Sequence, residues 1–175
     1  PVDLDKSHWI KILETAKERM KDLVKDSRFK YPVLFKNHGE SAGASISHPH
    51  WQLIVLPIVP RRIEHTLDAC LEYYSVNKCC LICQIIKETY VLYPERIVWE
   101  NKSLVVWSPF AARFPYELMM APNSSFHQHR FEWLDSAKTE DLAEAFIETL
   151  KRLRAVTKDA DFNIVLFTSP WFEND

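Results

Sequence analysis

The run His48-Pro49-His50-Trp51-Gln52 sets two imidazoles and an amide side by side. An imidazole is partly unprotonated near neutral pH, so it can attack phosphorus without strong activation. The N–P bond formed is labile, which suits onward transfer to a second acceptor. Just upstream lie the chain's only two glycines, Gly39 and Gly43, in the loop Asn37-His38-Gly39-Glu40-Ser41-Ala42-Gly43-Ala44-Ser45. Glycine lets a backbone turn tightly or come close to a ligand. Backbone amides of such a loop, with the Gln52 amide, can hold phosphate oxygens as charge develops. Phosphate handling is the chemistry this stretch predicts; two hydrogen-bonded, inert histidines at a strand start are the plainer alternative.

A second group is Cys79-Cys80-Leu81-Ile82-Cys83, which holds three of the chain's four cysteines. Neighbouring cysteines do not easily make a secreted disulfide framework, and this spacing suits metal or reduced thiols in a cytosol-like compartment. Cys80-x-x-Cys83 is half of a tetrahedral zinc site, with two further ligands needed. Buried free thiols are the competing reading. Arg61, Arg62 and His65 read as a solvated helix start, Arg113 as structural, and the Trp and Phe residues as core.

These groups need elements to position them. Residues 5–25 carry Trp9, Ile12, Leu13, Ala16, Met20, Leu23 and Val24 at helical spacing. A strand from Tyr31 to Phe35 leads into the glycine loop. The apolar run Leu53 to Val59 reads as the next strand, ended by Pro57 and Pro60. Alternation extended back from it would put His48, His50 and Gln52 on one face, with Trp51 turned to the core. Residues 61–78 read as a helical connector and Gln84 to Thr89 as a short helix. Strands are predicted at Arg96 to Glu100, Leu104 to Trp107 and Glu117 to Ala121, with a turn at Asn101-Lys102. A second amphipathic helix spans Thr139 to Val156. Phe162 to Thr168 closes the chain as a strand expected to lack its downstream neighbour. Amphipathic helix then strand occurs in both halves, which hints at a repeat broken at both ends.

At 175 residues, 47% hydrophobic and 26% charged, the composition is that of an ordinary globular chain. A formal charge of -2 offers no basic surface for a nucleic-acid duplex. No window is long and apolar enough to span a bilayer, and no signal peptide is read in residues 1–25. The chain starts with Pro and stops just after a strand-like run, and is expected to be a piece of something longer.

Phe35-Lys36-Asn37-His38-Gly39, Ala42-Gly43-Ala44-Ser45 and His48-Pro49-His50-Trp51-Gln52 resemble the active-site stretch of the galactose-1-phosphate uridylyltransferase family, in the histidine-triad superfamily. Cys79-Cys80-x-x-Cys83 and Pro109-Phe110-Ala111-Ala112-Arg113-Phe114-Pro115-Tyr116-Glu117 are similar to the start of that family's second repeat. The resemblance implies an α+β fold of antiparallel sheets with packed helices, in two incomplete histidine-triad-like units, 1–66 and 67–175. It implies that His50 is the residue that becomes nucleotidylated and that Gln52 binds the transferred phosphate. Asn37, Gly39, Gly43 and Ser45 would line the substrate pocket. His48 matches a ligand of a first zinc site whose cysteine pair is not in this sequence. In a second zinc site Cys80 and Cys83 would be joined by a histidine where Ser125 stands, with His127 and His129 close enough to substitute, and by another far downstream. Trp51 departs from the small residue usual at its position. The implied activity is transfer of a nucleoside monophosphate, UMP by this resemblance, between a nucleotide sugar and a sugar 1-phosphate, in cytoplasmic galactose metabolism. Zinc is the implied cofactor and a homodimer an allowed assembly. Adenylyl transfer or phosphorolysis is the first alternative, and a catalytically inactive, zinc-braced interaction module the second.

Overall fold

The computed structural model describes residues 4–46, 48–123 and 126–171. The elements in chain order are α1 (Lys6–Leu23), β1 (Tyr31–His38), β2 (Gln52–Leu56), α2 (Arg61–Asn77), α3 (Leu81–Leu92), β3 (Ile97–Glu100), β4 (Leu104–Trp107), β5 (Met119–Pro122), α4 (Ser136–Thr157) and β6 (Phe162–Leu166). Helix α1 starts where the Asp5 side chain accepts the His8 backbone N–H at 2.9 Å. Asp135 does the same for Lys138 at the start of α4. Each cap satisfies a donor that a helix start leaves open. The predicted stripe of α1 buries Trp9, Leu13, Ala16 and Met20. That of α4 buries Leu142, Phe146 and Leu150. Trp9 stacks on Phe146 with centroids 5.1 Å apart, and Trp51 meets both rings edge-on. Trp51 therefore packs against the core, as its place in the motif suggested.

Two antiparallel sheets of three strands flank this core, in the orders β2-β1-β6 and β3-β4-β5. The α+β class expected from sequence is the class observed. Strand β4 is buried along its length. Leu104 joins the main core, while Val105 and Trp107 form a smaller one with Ile86 of α3. The Asn101 side chain shapes the turn before β4 by accepting the N–H groups of Ser103 and Leu104. Helix α2 buries no residue. Among the described residues, no helix is long and apolar enough to cross a membrane.

One pairing was not read from the sequence, and one expectation is corrected. The strand at Phe162 pairs antiparallel with β1, Asn163 opposite Asn37 and Val165 opposite Phe35, and lies at the edge of its sheet among the described residues. One sheet thus draws on both ends of the chain. The second strand begins at Gln52, so His48 and His50 precede it and strand alternation does not set their directions. Pro49 has no N–H to offer a ladder, and the residue before a proline is itself restricted. Glycine use is also selective. Lys78 and Lys158 end α2 and α4 in the left-handed conformation that glycine usually fills. Both glycines, at φ +87° and +82°, are kept for the loop after β1.

Candidate active site and metal centre

His50 sits half-buried at the threshold of β2. Its Nδ1 lies 2.8 Å from the His48 carbonyl oxygen. A carbonyl can only accept, so Nδ1 carries the hydrogen and the neutral ring keeps its lone pair on Nε2. The backbone around His50 is held as well, because the buried Lys36 ammonium donates to the His50 carbonyl at 3.2 Å. Burial pushes the Lys36 amine below its ordinary range. Gln52 faces Phe35 across the β1–β2 ladder, and Asn37 faces Asn163 across the β1–β6 ladder. Paired residues and residues two apart share a face, so Gln52, Asn37 and Asn163 lie on one face of this sheet.

The glycine loop closes on itself and on β6. The Gly43 N–H donates to the Glu40 carbonyl at 2.9 Å and the Ala44 N–H to the Gly39 carbonyl at 3.0 Å. Asn37 Nδ2 donates to the Gly43 carbonyl at 3.2 Å. Asn163 Nδ2 donates to Asn37 Oδ1 and to the Ala42 carbonyl, each at 2.8 Å. The Ser41 N–H donates to Asp161 at 2.8 Å, and the Ser41 hydroxyl donates to the same oxygen. These bonds hold the Asp161 carboxyl below the usual carboxylate range, with a smaller contribution from His38. A Cβ on Gly39 would fall 1.8 Å from Asp161 Oδ1, whereas one on Gly43 would meet nothing nearer than 3.6 Å. Gly39 is required by close approach, Gly43 by its backbone angle alone. Ser45 and His48 are exposed.

The cysteine group assembles beside α3. Ligand atoms of Cys80, Cys83 and His127 lie within 4.8 Å of one another. Burial pushes the Cys80 thiol up, but the His127 ring and the Ile82 and Cys83 amides at the start of α3 outweigh it and leave the thiol below its ordinary value. Burial and the neighbouring Cys80 charge push Cys83 up. The pair thus favours one thiolate, on Cys80, at a helix start where negative charge is stabilised. Of the two histidines left open by the sequence, the structure brings in His127. His129 packs its ring edge-on against Trp133, centroids 5.6 Å apart. Among the described residues no other group of three such ligands gathers, and His48 joins none. Ser125 lies outside the described residues.

A family model for the N-terminal domain of a domain of unknown function, DUF4931, matches residues 2–59. ADP-glucose phosphorylase of Arabidopsis thaliana is 33% identical over 160 residues, 91% of this chain and 43% of that protein. Galactose-1-phosphate uridylyltransferase of Thermotoga maritima is 30% identical over 168 residues, 94% of this chain and 51% of that protein. A solved uridylyltransferase superposes with a TM-score of 0.90 at 31% identity, covering 98% of this chain and 54% of the other. This chain is a partial galactose-1-phosphate uridylyltransferase-like protein. It spans about half the length of these relatives, which are named as enzymes of nucleotide-sugar transfer and phosphorolysis.

The donor set of this uridylyltransferase-like chain fits zinc. Two thiols and an imidazole are borderline-soft ligands, and three of them converge with a fourth position left to fill. Sequence reasoning singled out the glycines, His50, Gln52 and the cysteines. It did not single out Asp161, Asn163 or Lys36, which the structure places against the loop and the His50 backbone. The first two reach the loop only through a strand pairing about 120 residues away in sequence. Lys36 could have been found, since a lysine two residues after Leu34 falls on the core-facing side of β1.

Proposed function

We propose that this chain carries the nucleophile of a nucleotidyltransferase that moves a nucleoside monophosphate between a nucleotide sugar and a sugar 1-phosphate. The observation that supports this most is His50 with Nδ1–H held by the His48 carbonyl, set before Gln52 on the sheet that bears the glycine loop. In the first step the Nε2 lone pair attacks the α-phosphorus of the nucleotide sugar. The P–O bond to the sugar phosphate breaks, and the sugar 1-phosphate leaves with that oxygen's electron pair. In the second step a phosphate oxygen of the acceptor attacks the same phosphorus, the P–N bond breaks and His50 is restored. Gln52 and Asn37 offer amide hydrogens to the phosphoryl oxygens. Gln52 cannot act as an acid at neutral pH, so a phosphorylated acceptor is favoured over water. Cys80, Cys83 and His127 would hold zinc, which when bound braces α3 against the chain before α4 and takes no part in these steps. Residues 1–66 and 67–175 would form two histidine-triad-like units, the second lending β6 to the sheet of the first.

Uridylyl transfer is the primary reading. Adenylyl transfer to phosphate is the second, favoured by the 33% identity to ADP-glucose phosphorylase over 160 residues. Incubation with UDP-glucose and ADP-glucose, each labelled at the α-phosphorus, tests both. The expected product is an acid-labile, base-stable label on His50, absent from His50→Asn, and the donor that labels faster identifies the base. Equal labelling of the His50→Asn protein would end the covalent mechanism.

A further inference from the structure

We propose that Asp161 and Asn163 are positioning residues: β6 clasps the glycine loop from behind and fixes which atoms of Asn37 and the loop can face a phosphate. This rests on the phosphate-transfer reading for its purpose, but the clasp itself is carried by the contacts. Asp161 occupies the space a side chain on residue 39 would need, and it takes both the N–H and the hydroxyl of Ser41. A free carboxylate behind a phosphate loop would repel the ligand. Here its charge is engaged by two donors that consequently point away from any ligand.

Asn163 does something more specific. Its Nδ2 serves both the Ala42 carbonyl and Asn37 Oδ1, while Asn37 Nδ2 serves the Gly43 carbonyl. If the Asn37 amide turned over, its oxygen would face the Gly43 carbonyl and its nitrogen would face the Asn163 nitrogen. Both contacts would then be repulsive. Asn37 is therefore locked with its NH2 group along the loop, and its second amide hydrogen is presented to an acceptor such as a phosphoryl oxygen. An amide free to turn would present donor and acceptor alike. The clasp thus favours anionic oxygen and lowers the cost of ordering the loop on binding.

Hydrogen exchange over residues 39–45, read with equilibrium binding of UDP-glucose and ADP-glucose, tests this. Asp161→Ala and Asn163→Ala are each expected to speed loop exchange and to weaken nucleotide-sugar binding about tenfold. Asp161→Asn keeps an acceptor for Ser41 and should recover most of that binding. Ile164→Ala, on the core-facing side of the same strand, should lower Tm yet leave loop exchange and binding within about twofold. Unchanged loop exchange in the first two variants overturns the proposal, and so does equal loop opening in Ile164→Ala. If the unaltered protein binds neither nucleotide sugar, the transferase reading falls, while the exchange comparison still decides the clasp.

Discussion

The glycine loop and the cysteine group solve the same problem in opposite ways. The loop is fixed by side chains from a strand about 120 residues downstream, and it sits on a sheet whose other face packs on the main core. Cys80, Cys83 and His127 meet where a helix start and the segment before α4 converge, beside α2, which buries nothing. Two of these three ligand residues, Cys83 and His127, are exposed. A site that must stabilise charge during a reaction has to be ordered beforehand, because reorganisation at that moment raises the barrier. A metal supplies its own ordering energy, so its ligands can rest on a thinner scaffold.

The sharpest way to break this contrast is at the glycines. A left-handed backbone costs a side-chain-bearing residue about 1–2 kcal/mol, and Gly43→Ala should lose about that much. Gly39→Ala should lose more, because its Cβ displaces Asp161 and releases Ser41. Denaturant unfolding of both variants checks the order. Equal losses would mean that Asp161 moves aside freely and that the loop is not preset.

A smaller effect is expected at the cysteines. Cys80→Ser, or chelation, should remove bound zinc and lower Tm by a few degrees, while exchange at residues 39–45 stays as it was. Elemental analysis beside differential scanning fluorimetry makes the comparison. Zinc-free protein from a chelator-free preparation would remove the metal half of the contrast, and loop opening on chelation would show that the two regions are coupled.

The smallest effect is at Lys36. Its ammonium is buried against the His50 carbonyl, and burying a charge is costly. Lys36→Met should leave Tm unchanged or raise it, yet slow labelling of His50 several-fold by loosening the backbone that carries the ring. The sign of the pH effect follows from the depressed amine. The unfolded chain holds the proton to higher pH than the folded one, so stability rises with pH between the folded value and the ordinary lysine range. The Met variant should lose that rise. A marked fall in Tm near pH 7 would make Lys36 a net stabiliser and refute the assignment.

Which parts were legible in sequence follows the same division. The stripes of α1 and α4, the glycine loop and the His50–Gln52 motif are local patterns, each complete within one or two dozen residues. The pairing of β6 with β1 leaves no local signature, because a short strand can add to any open edge. Asp161 and Asn163 therefore read as ordinary polar residues after a helix. The choice between His127 and His129 was also out of reach, since it turns on the path of a segment that belongs to no helix or strand. His48 and His50 show the limit of alternation: period two holds only inside a strand, and Pro49 keeps them outside it.

The β1–β6 ladder also places the site in time. Strands β1 and β2 can form a hairpin early in synthesis, but Phe162 follows Leu56 by on the order of ten seconds at ordinary translation rates. Through that interval β1 has one partner and an open, largely apolar edge. The loop already holds both glycines but has neither Asp161 nor Asn163 to shut it. Pairing at such long sequence separation is slow to nucleate. The glycine loop is thus among the last parts of this chain to reach its final form, and slowing synthesis between residues 56 and 162 would lengthen the period in which that edge is open to wrong partners.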